Sequence, residues 1–257
     1  MEALHTAPHW TNQTIDNWIR WAPNQWSLRI PRPEGFHFTP GHYARLGLPA
    51  HSTTDIVWRP YSIVSAPDDK HLEFLVTLIP DGLFTGQLAH LEAGANILLD
   101  PAVMGFFVES QLAPGRTLWM LFTGSGLGPY ISMLREGGVL KRYESIFVVH
   151  SVRTAAELAY ANELKALAAR HPGVLRYVPV VTREPGNGYL ARRIPTMIGD
   201  GSLEVLLESA LDPAFARVMV CGNPQFTGDM RALLRDKSFQ PCRRGLIGSM
   251  LFENYWQ

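Results

Sequence analysis

The sequence predicts two domains: a small antiparallel β-barrel or sandwich, then an α/β domain built on a parallel sheet. Three observations predict it. Over residues 1–111, short alternating or aromatic runs are broken by Pro and Gly, and no long helical pattern intervenes, as antiparallel strands require. From residue 112 onward, continuous apolar runs alternate with helically spaced segments, the texture of a parallel sheet wound with crossovers. The length, 257 residues, accommodates two such domains.

In the first domain, strands are expected at 26–30, 42–48, 55–64, 72–79 and 96–100. Their separators, such as Pro31-Arg32-Pro33-Glu34-Gly35 and Ser65-Ala66-Pro67-Asp68-Asp69, carry turn chemistry. A short helix is expected over 85–91. In the second domain, the apolar strand 117–122 runs into Thr123-Gly124-Ser125-Gly126-Leu127-Gly128-Pro129, and a helix follows over 129–136. A strand at 145–150, a helix over 155–170, strands at 175–181 and 216–221, and a helix over 224–237 complete the alternation.

Composition narrows the function. The chain is 46% hydrophobic and 18% charged, as soluble globular proteins are. Basic and acidic residues both number 23, so no basic excess marks a nucleic-acid binder. No apolar run approaches the ~20 residues needed to span a bilayer, and the first ten residues lack a secretory apolar region. A cytoplasmic protein without membrane or nucleic-acid partners is expected, working as a monomer. Its two cysteines, Cys221 and Cys242, fall short of the four thiolates that hold an iron–sulfur cluster and are expected free. The nine histidines show no zinc spacing, so no metal is expected.

Several short constellations carry chemistry. In Arg59-Pro60-Tyr61-Ser62, at the end of a strand, a guanidinium can pair with phosphate oxygens and a tyrosine ring can face a flat heterocycle. An edge-strand Arg, a half-buried Tyr and a turn Ser would read the same way. Pro80-Asp81-Gly82-Leu83-Phe84-Thr85 opens the short helix, whose free N–H groups suit a pyrophosphate or simply an ordinary cap. The glycine turn at 124–128 departs from the G-x-G-x-x-G spacing and lacks a P-loop Lys, yet it lets a second nucleotide approach a strand–helix junction. An acidic ribose anchor about twenty residues on, usual for NAD, is missing. Instead Arg153, Arg183 and Arg193 sit near strand exits, where cations fit the 2′-phosphate of NADP. Cys221 ends another strand, as a small core residue or a thiol lining the pocket. Tyr255 and Trp256 suggest a tail tied into a pocket or packed on the core.

Taken in order, these motifs resemble the bacterial flavodoxin-reductase branch of the plant-type ferredoxin–NADP+ reductase superfamily. The likeness runs through Arg59-Pro60-Tyr61-Ser62, Val76-Thr77-Leu78-Ile79-Pro80-Asp81-Gly82, the glycine turn through Tyr130, Val181-Thr182-Arg183, Arg193-Ile194-Pro195, Cys221-Gly222-Asn223-Pro224, and Glu253 with Tyr255 and Trp256. The resemblance implies a β-barrel FAD domain over 1–111 and an NADP-binding α/β domain over 112–257, whose aromatic tail returns to the flavin. It implies Arg59 at the FAD pyrophosphate, Tyr61 on one flavin face and Ser62 at flavin N5, with Pro60 between them. Leu75, Val76, Thr77 and Leu78 would run beside the cofactor, and Leu83, Phe84 and Thr85 would cradle its phosphates. Ser125 would approach both cofactors, and Arg153, Arg183 and Arg193 would hold NADP(H). Cys221 and Glu253 would place the nicotinamide, Tyr255 would cover the other flavin face, and Trp256 would stack on the adenine. The implied activity is electron exchange between NADPH and ferredoxin or flavodoxin. Alternatives are a reductase serving an oxygenase, free flavin or ferric chelates, and a non-catalytic nucleotide sensor or carrier scaffold. Two departures stand out: Gln257 follows the aromatic pair, and Leu83 occupies a place where a basic residue can occur.

Overall fold

The computed structural model describes residues 10–50, 55–186 and 188–254. Its N-terminal half contains β1 (Thr11–Thr14), β2 (Asn17–Ala22), β3 (Gln25–Pro31), β4 (Tyr43–Pro49), β5 (Ile56–Ser62), β6 (His71–Thr77), the single-turn helix α1 (Thr85–Leu88) and β7 (Asn96–Met104). One sheet runs β1-β7-β4-β5 and a second β2-β3-β6, with every pair antiparallel. A bridge between Ile63 and Phe74 ties the end of β5 to β6 and links the two sheets. Alternation along a strand sends successive side chains to opposite faces. Leu28 and Ile30 on β3, and Leu72, Phe74 and Val76 on β6, therefore fill the barrel core. Between them, Ser27, Glu73 and Leu75 face the C-terminal half, where Leu75 joins a different apolar cluster.

The C-terminal half contains β8 (Thr117–Thr123), α2 (Gly128–Glu136), α3 (Gly138–Arg142), β9 (Ser145–Val152), α4 (Ala161–Arg170), β10 (Leu175–Val181), α5 (Ile194–Gly199), α6 (Ser202–Leu207), β11 (Ala216–Gly222), α7 (Pro224–Asp236) and β12 (Met250–Asn254). The strands form one parallel sheet in the order β10-β9-β8-β11-β12. Helices on both faces explain why β8 and β11 are buried along almost their whole length. Helices α2 and α4 pack on one face, α5, α6 and α7 on the other. The cluster under α2 also takes in Val64, Leu75 and Phe107 from the N-terminal half, so the two halves share a core. Among the described residues, no helix is long and apolar enough to cross a membrane.

The expected helix over 155–170 is two pieces, a 3-10 turn at Ala155–Glu157 and then α4. Tyr160 separates them with φ +56°, a left-handed conformation uncommon outside glycine. Its hydroxyl bonds across to the barrel, and that tertiary contact overrides local helical periodicity. Strands β1, β2 and β12 and helices α3, α5 and α6 were not anticipated. β1 is a polar edge strand with three of four residues exposed, so its pairing with β7 leaves no hydrophobic pattern to read.

Candidate functional site

β8 and β11 lie side by side, but the chain leaves them toward opposite halves of the sheet. Such a switch point opens a crevice beyond the strand C-termini. Out of β8 comes the glycine turn, as one 3-10 turn at Gly124–Leu127 leading into α2. Gly124 has φ +55° and open space where a Cβ would point, so its demand is conformational. Gly126 is a packing glycine: a Cβ there would stand 2.6 Å from the Cys221 carbonyl oxygen. Out of β11 comes Asn223, whose side chain accepts the Phe226 N–H at 3.0 Å and caps α7, with Pro224 at its first position.

A cleft of about 390 Å³ occupies this crevice. The C-terminal half lines it with Ser125, Arg153, Thr182 and Arg193, and the barrel with Asn24, Gln25 and Thr77. Arg153 and Arg193 thus line one cleft, Arg193 because Leu190 bridges back to Val180. Arg183 lies outside the lining, although its N–H bonds the Arg153 carbonyl at 2.9 Å. The Arg153 guanidinium is paired with Glu157, Nη2 to Oε1 at 2.5 Å, and Glu157 also accepts the Arg153 backbone N–H at 2.9 Å. These bonds raise the Arg153 pKa. Glu157 lies below its ordinary value: burial would lift it, and the bonds from Arg153 overcome that. Sequence reasoning missed Glu157, because a Glu at the start of a helical segment looks like routine capping.

Ser62, Cys221 and Glu253 meet where β5, β11 and β12 end. Parallel pairing sets Glu253 opposite Cys221. The Ser62 hydroxyl donates to Glu253 Oε2 at 3.4 Å, and the Cys221 thiol faces the same oxygen at 3.8 Å. Burial lifts the Glu253 carboxyl to about 7, against the downward pull of the Cys221 and Ser62 bonds. Near neutrality this group exchanges a proton. Neither Cys221 nor Cys242 forms a disulfide, and Cys221 is fully buried. Among the described residues, no group of three or more His, Cys, Asp or Glu side chains could hold a metal ion.

The third region flanks α1. Thr85 Oγ1 accepts the Ile79 N–H at 3.1 Å and donates to the Ile79 carbonyl at 3.0 Å, which pins the turn between them. A Cβ on Gly82 would come within 2.6 Å of that hydroxyl oxygen. Phe84 is buried, with its ring 5.7 Å from that of Tyr61, whereas Leu83 is 72% exposed. Phe84 therefore spends its side chain inside the fold, whereas Leu83 and Thr85 both line the adjoining groove of about 540 Å³. Val76 and Leu78 also point into the barrel core, and Thr77 reaches the cleft. Arg59 and Pro60 are exposed, with Arg59 Nη1 donating to the Trp58 carbonyl at 2.8 Å. Burial pushes the Tyr61 phenol up, so it stays protonated. Tyr255 and Trp256 lie outside the described residues.

Comparison with known proteins matches two families, an oxidoreductase FAD-binding domain over residues 18–107 and an oxidoreductase NAD-binding domain over 120–232. The chain is 36% identical over 248 residues to a flavodoxin/ferredoxin–NADP reductase of Escherichia coli, covering 96% of this chain and 99% of that protein. It is 32% identical over 254 residues to ferredoxin–NADP reductase A of Sorangium cellulosum, covering 96% and 90%. A crystal structure of a ferredoxin NADP+ reductase from Neisseria gonorrhoeae with bound FAD and NADP superposes with a TM-score of 0.91 at 32% identity, covering 97% of this chain and all of that one.

Proposed function

Because the chain belongs to the flavodoxin/ferredoxin–NADP reductase family, we propose that it moves electrons between NADPH and a one-electron carrier, ferredoxin or flavodoxin, with FAD between them. The observation that carries this is the meeting of Ser62, Cys221 and Glu253 beside a switch-point cleft lined by both halves of the chain. When bound, FAD accepts a hydride and gives up electrons singly. The protein's work is to hold, orient and shield.

The residues fit both nucleotides. Gly124 has the open space and positive φ that close backbone approach needs, and it lines the cleft with Ser125, Arg153 and Arg193. We assign residues 1–111 to FAD. Arg59 would meet its phosphates, and Tyr61 would offer a ring to one flavin face. The backbone around Leu83, Phe84 and Thr85 would cradle the pyrophosphate, Leu75 to Leu78 would run alongside, and Tyr255 and Trp256 would complete the site. We assign residues 112–257 to NADP(H). Arg153, Arg183 and Arg193 would hold its phosphates, Ser125 would stand between the two nucleotides, and Cys221 and Glu253 would place the nicotinamide. Ser62 would direct its hydroxyl at the flavin edge, and Glu253 would pass a proton to solvent near neutrality.

The visible spectrum of the purified protein, followed by anaerobic titration with NADPH and then NADH, tests this. We expect a yellow protein that bleaches at a much lower concentration of NADPH than of NADH. Colourless protein that takes up no FAD would overturn the proposal, and equal bleaching would remove the 2′-phosphate role of the three arginines. Faster turnover on reduced-carrier proteins than on ferric chelates would support the carrier.

A further inference from the structure

Between the barrel and α2 lies a buried polar network away from the Ser62–Glu253 cluster, and Glu73 is its hub. Its side chain is 3% exposed. One carboxylate oxygen accepts the Tyr160 hydroxyl at 2.6 Å. The other accepts Arg29 at 3.0 Å and Arg135 at 3.1 Å. Arg135 in turn grips Glu163 through two bonds of 2.7 and 2.9 Å, so two carboxylates balance two guanidiniums. Behind Tyr160 the bonds form a chain: Trp21 Nε1 donates to Ser27 Oγ at 2.8 Å, and the Ser27 and Tyr160 hydroxyls lie 2.5 Å apart. Burial and the neighbouring carboxylate raise the Tyr160 phenol well above its ordinary pKa, so it remains a donor.

The same residue anchors the chain just beyond Ser62. The Glu73 carbonyl accepts the Val64 N–H at 2.8 Å, and its own N–H donates to Ser65 Oγ at 2.7 Å. From the other side, α2 reaches the same segment: Ser132 Oγ donates to the Ser65 carbonyl at 2.7 Å and Arg135 Nη1 to the Val64 carbonyl at 3.3 Å. Helix α2 begins at the glycine turn. The segment just beyond Ser62 and the helix that begins at the glycine turn are therefore tied to one another through Glu73, Ser132 and Arg135, with Tyr160 bracing Glu73. The left-handed backbone of Tyr160 is the local cost of bringing its hydroxyl to the hub.

We infer that Glu73 is a positioning residue for hydride transfer, fixing Ser62 on the barrel against the glycine turn at the head of α2. This rests on the function proposed above. Glu73 touches neither nucleotide site directly. It acts by holding two halves of a reaction geometry in register, where displacements near 1 Å cost about a hundredfold in rate.

Two variants test it. Tyr160→Phe removes one hydroxyl and keeps the ring that packs 4.5 Å from Trp21, and Glu73→Gln keeps the shape and removes the charge. In FAD-loaded protein without pyridine nucleotide, the Val64 amide should exchange its hydrogen roughly tenfold faster in either variant. At saturating NADPH, the limiting rate of flavin bleaching per bound flavin should fall roughly ten- to a hundredfold, with the NADPH dissociation constant within about twofold of the parent. A merely structural network would lower Tm and leave the rate per bound flavin intact, and that result overturns the inference. Should Glu73→Gln fail to fold, Tyr160→Phe decides alone. If the parent protein itself is not bleached by NADPH, the proposed function fails first. Unchanged exchange at Val64 would then still refute the tie.

Discussion

Glu253 is a carboxyl whose environment works against its charge. Burial dominates, and the Ser62 hydroxyl and Cys221 thiol only partly offset it, so the pKa stands at about 7 against an ordinary 4.5. A folded-state pKa raised above the unfolded value contributes stability that is fully present below the unfolded pKa and is lost as pH rises through the folded one. The window therefore runs from about pH 4.5 to about pH 7. Discounted for the partial exposure of the side chain, the loss is on the order of 2 kcal/mol. Thermal unfolding followed across that window should show the parent's Tm falling toward pH 8 and the Glu253→Gln protein holding a flatter Tm. Parallel pH profiles for the two proteins would mean the carboxyl is ionised throughout. The three members of this cluster lie up to 191 positions apart. Their types were legible only through the order of motifs, since no local pattern says that Cys221 and Glu253 face each other across β11 and β12. Arg20, Arg29, Arg32 and Arg45 each have a partner inside the chain: the Trp26 ring, Glu73, the Phe36 carbonyl and Asp100.

At the scale of elements, periodicity spoke clearly wherever burial was one-sided or complete. The strand Leu175–Val181 and the helix Pro224–Asp236 sit where their apolar spacing puts them. It failed where a tertiary bond or a backbone pairing decides the outcome, as at Tyr160 and in β1. β12 was hidden for another reason: it follows α7 through a turn without strand-like alternation and is fixed by pairing with β11. The glycine turn separates the two kinds of demand that sequence alone merges. Gly124 needs a positive φ but has room, so Gly124→Ala should cost about 1–2 kcal/mol, the usual left-handed penalty. Gly126 has an ordinary φ but no room, since its Cβ would press on the backbone of Cys221. That contact cannot yield by a rotamer change, so Gly126→Ala should cost about 1–3 kcal/mol and push β8 and β11 apart. Urea denaturation orders the pair, and we expect the Cys221 thiol to become more reactive toward a thiol reagent only in Gly126→Ala. The reverse order of stability would show that conformation, not close approach, sets the requirement at this turn.

For the molecule as a whole, the question is whether the barrel and the wound sheet fold as one body or two. Val64, Leu75 and Phe107 come from the N-terminal half, yet they are buried in the same cluster as Met120, Leu127, Tyr130 and Met133. Around that apolar contact sit the charges of Glu73, Arg135 and Glu163, each satisfied only by residues of the opposite half or of the network itself. Separating the halves would expose the apolar cluster and leave Glu73 with Arg29, its bonds to Arg135 and Tyr160 exchanged for water. Because separation returns these charges to water, the ion pairs contribute little net free energy, and the lost apolar burial is what opposes separation. At about 1.5–3 kcal/mol for each buried side chain that separation uncovers, the interface free energy is of the size of a domain's own stability, and neither half should persist folded when the other melts. Scanning calorimetry of the FAD-loaded protein should therefore give one transition with a calorimetric-to-van't Hoff enthalpy ratio near one, the mark of a two-state process. Two resolved peaks, or a ratio well above one, would show that the shared core couples the halves too weakly to hold them in register.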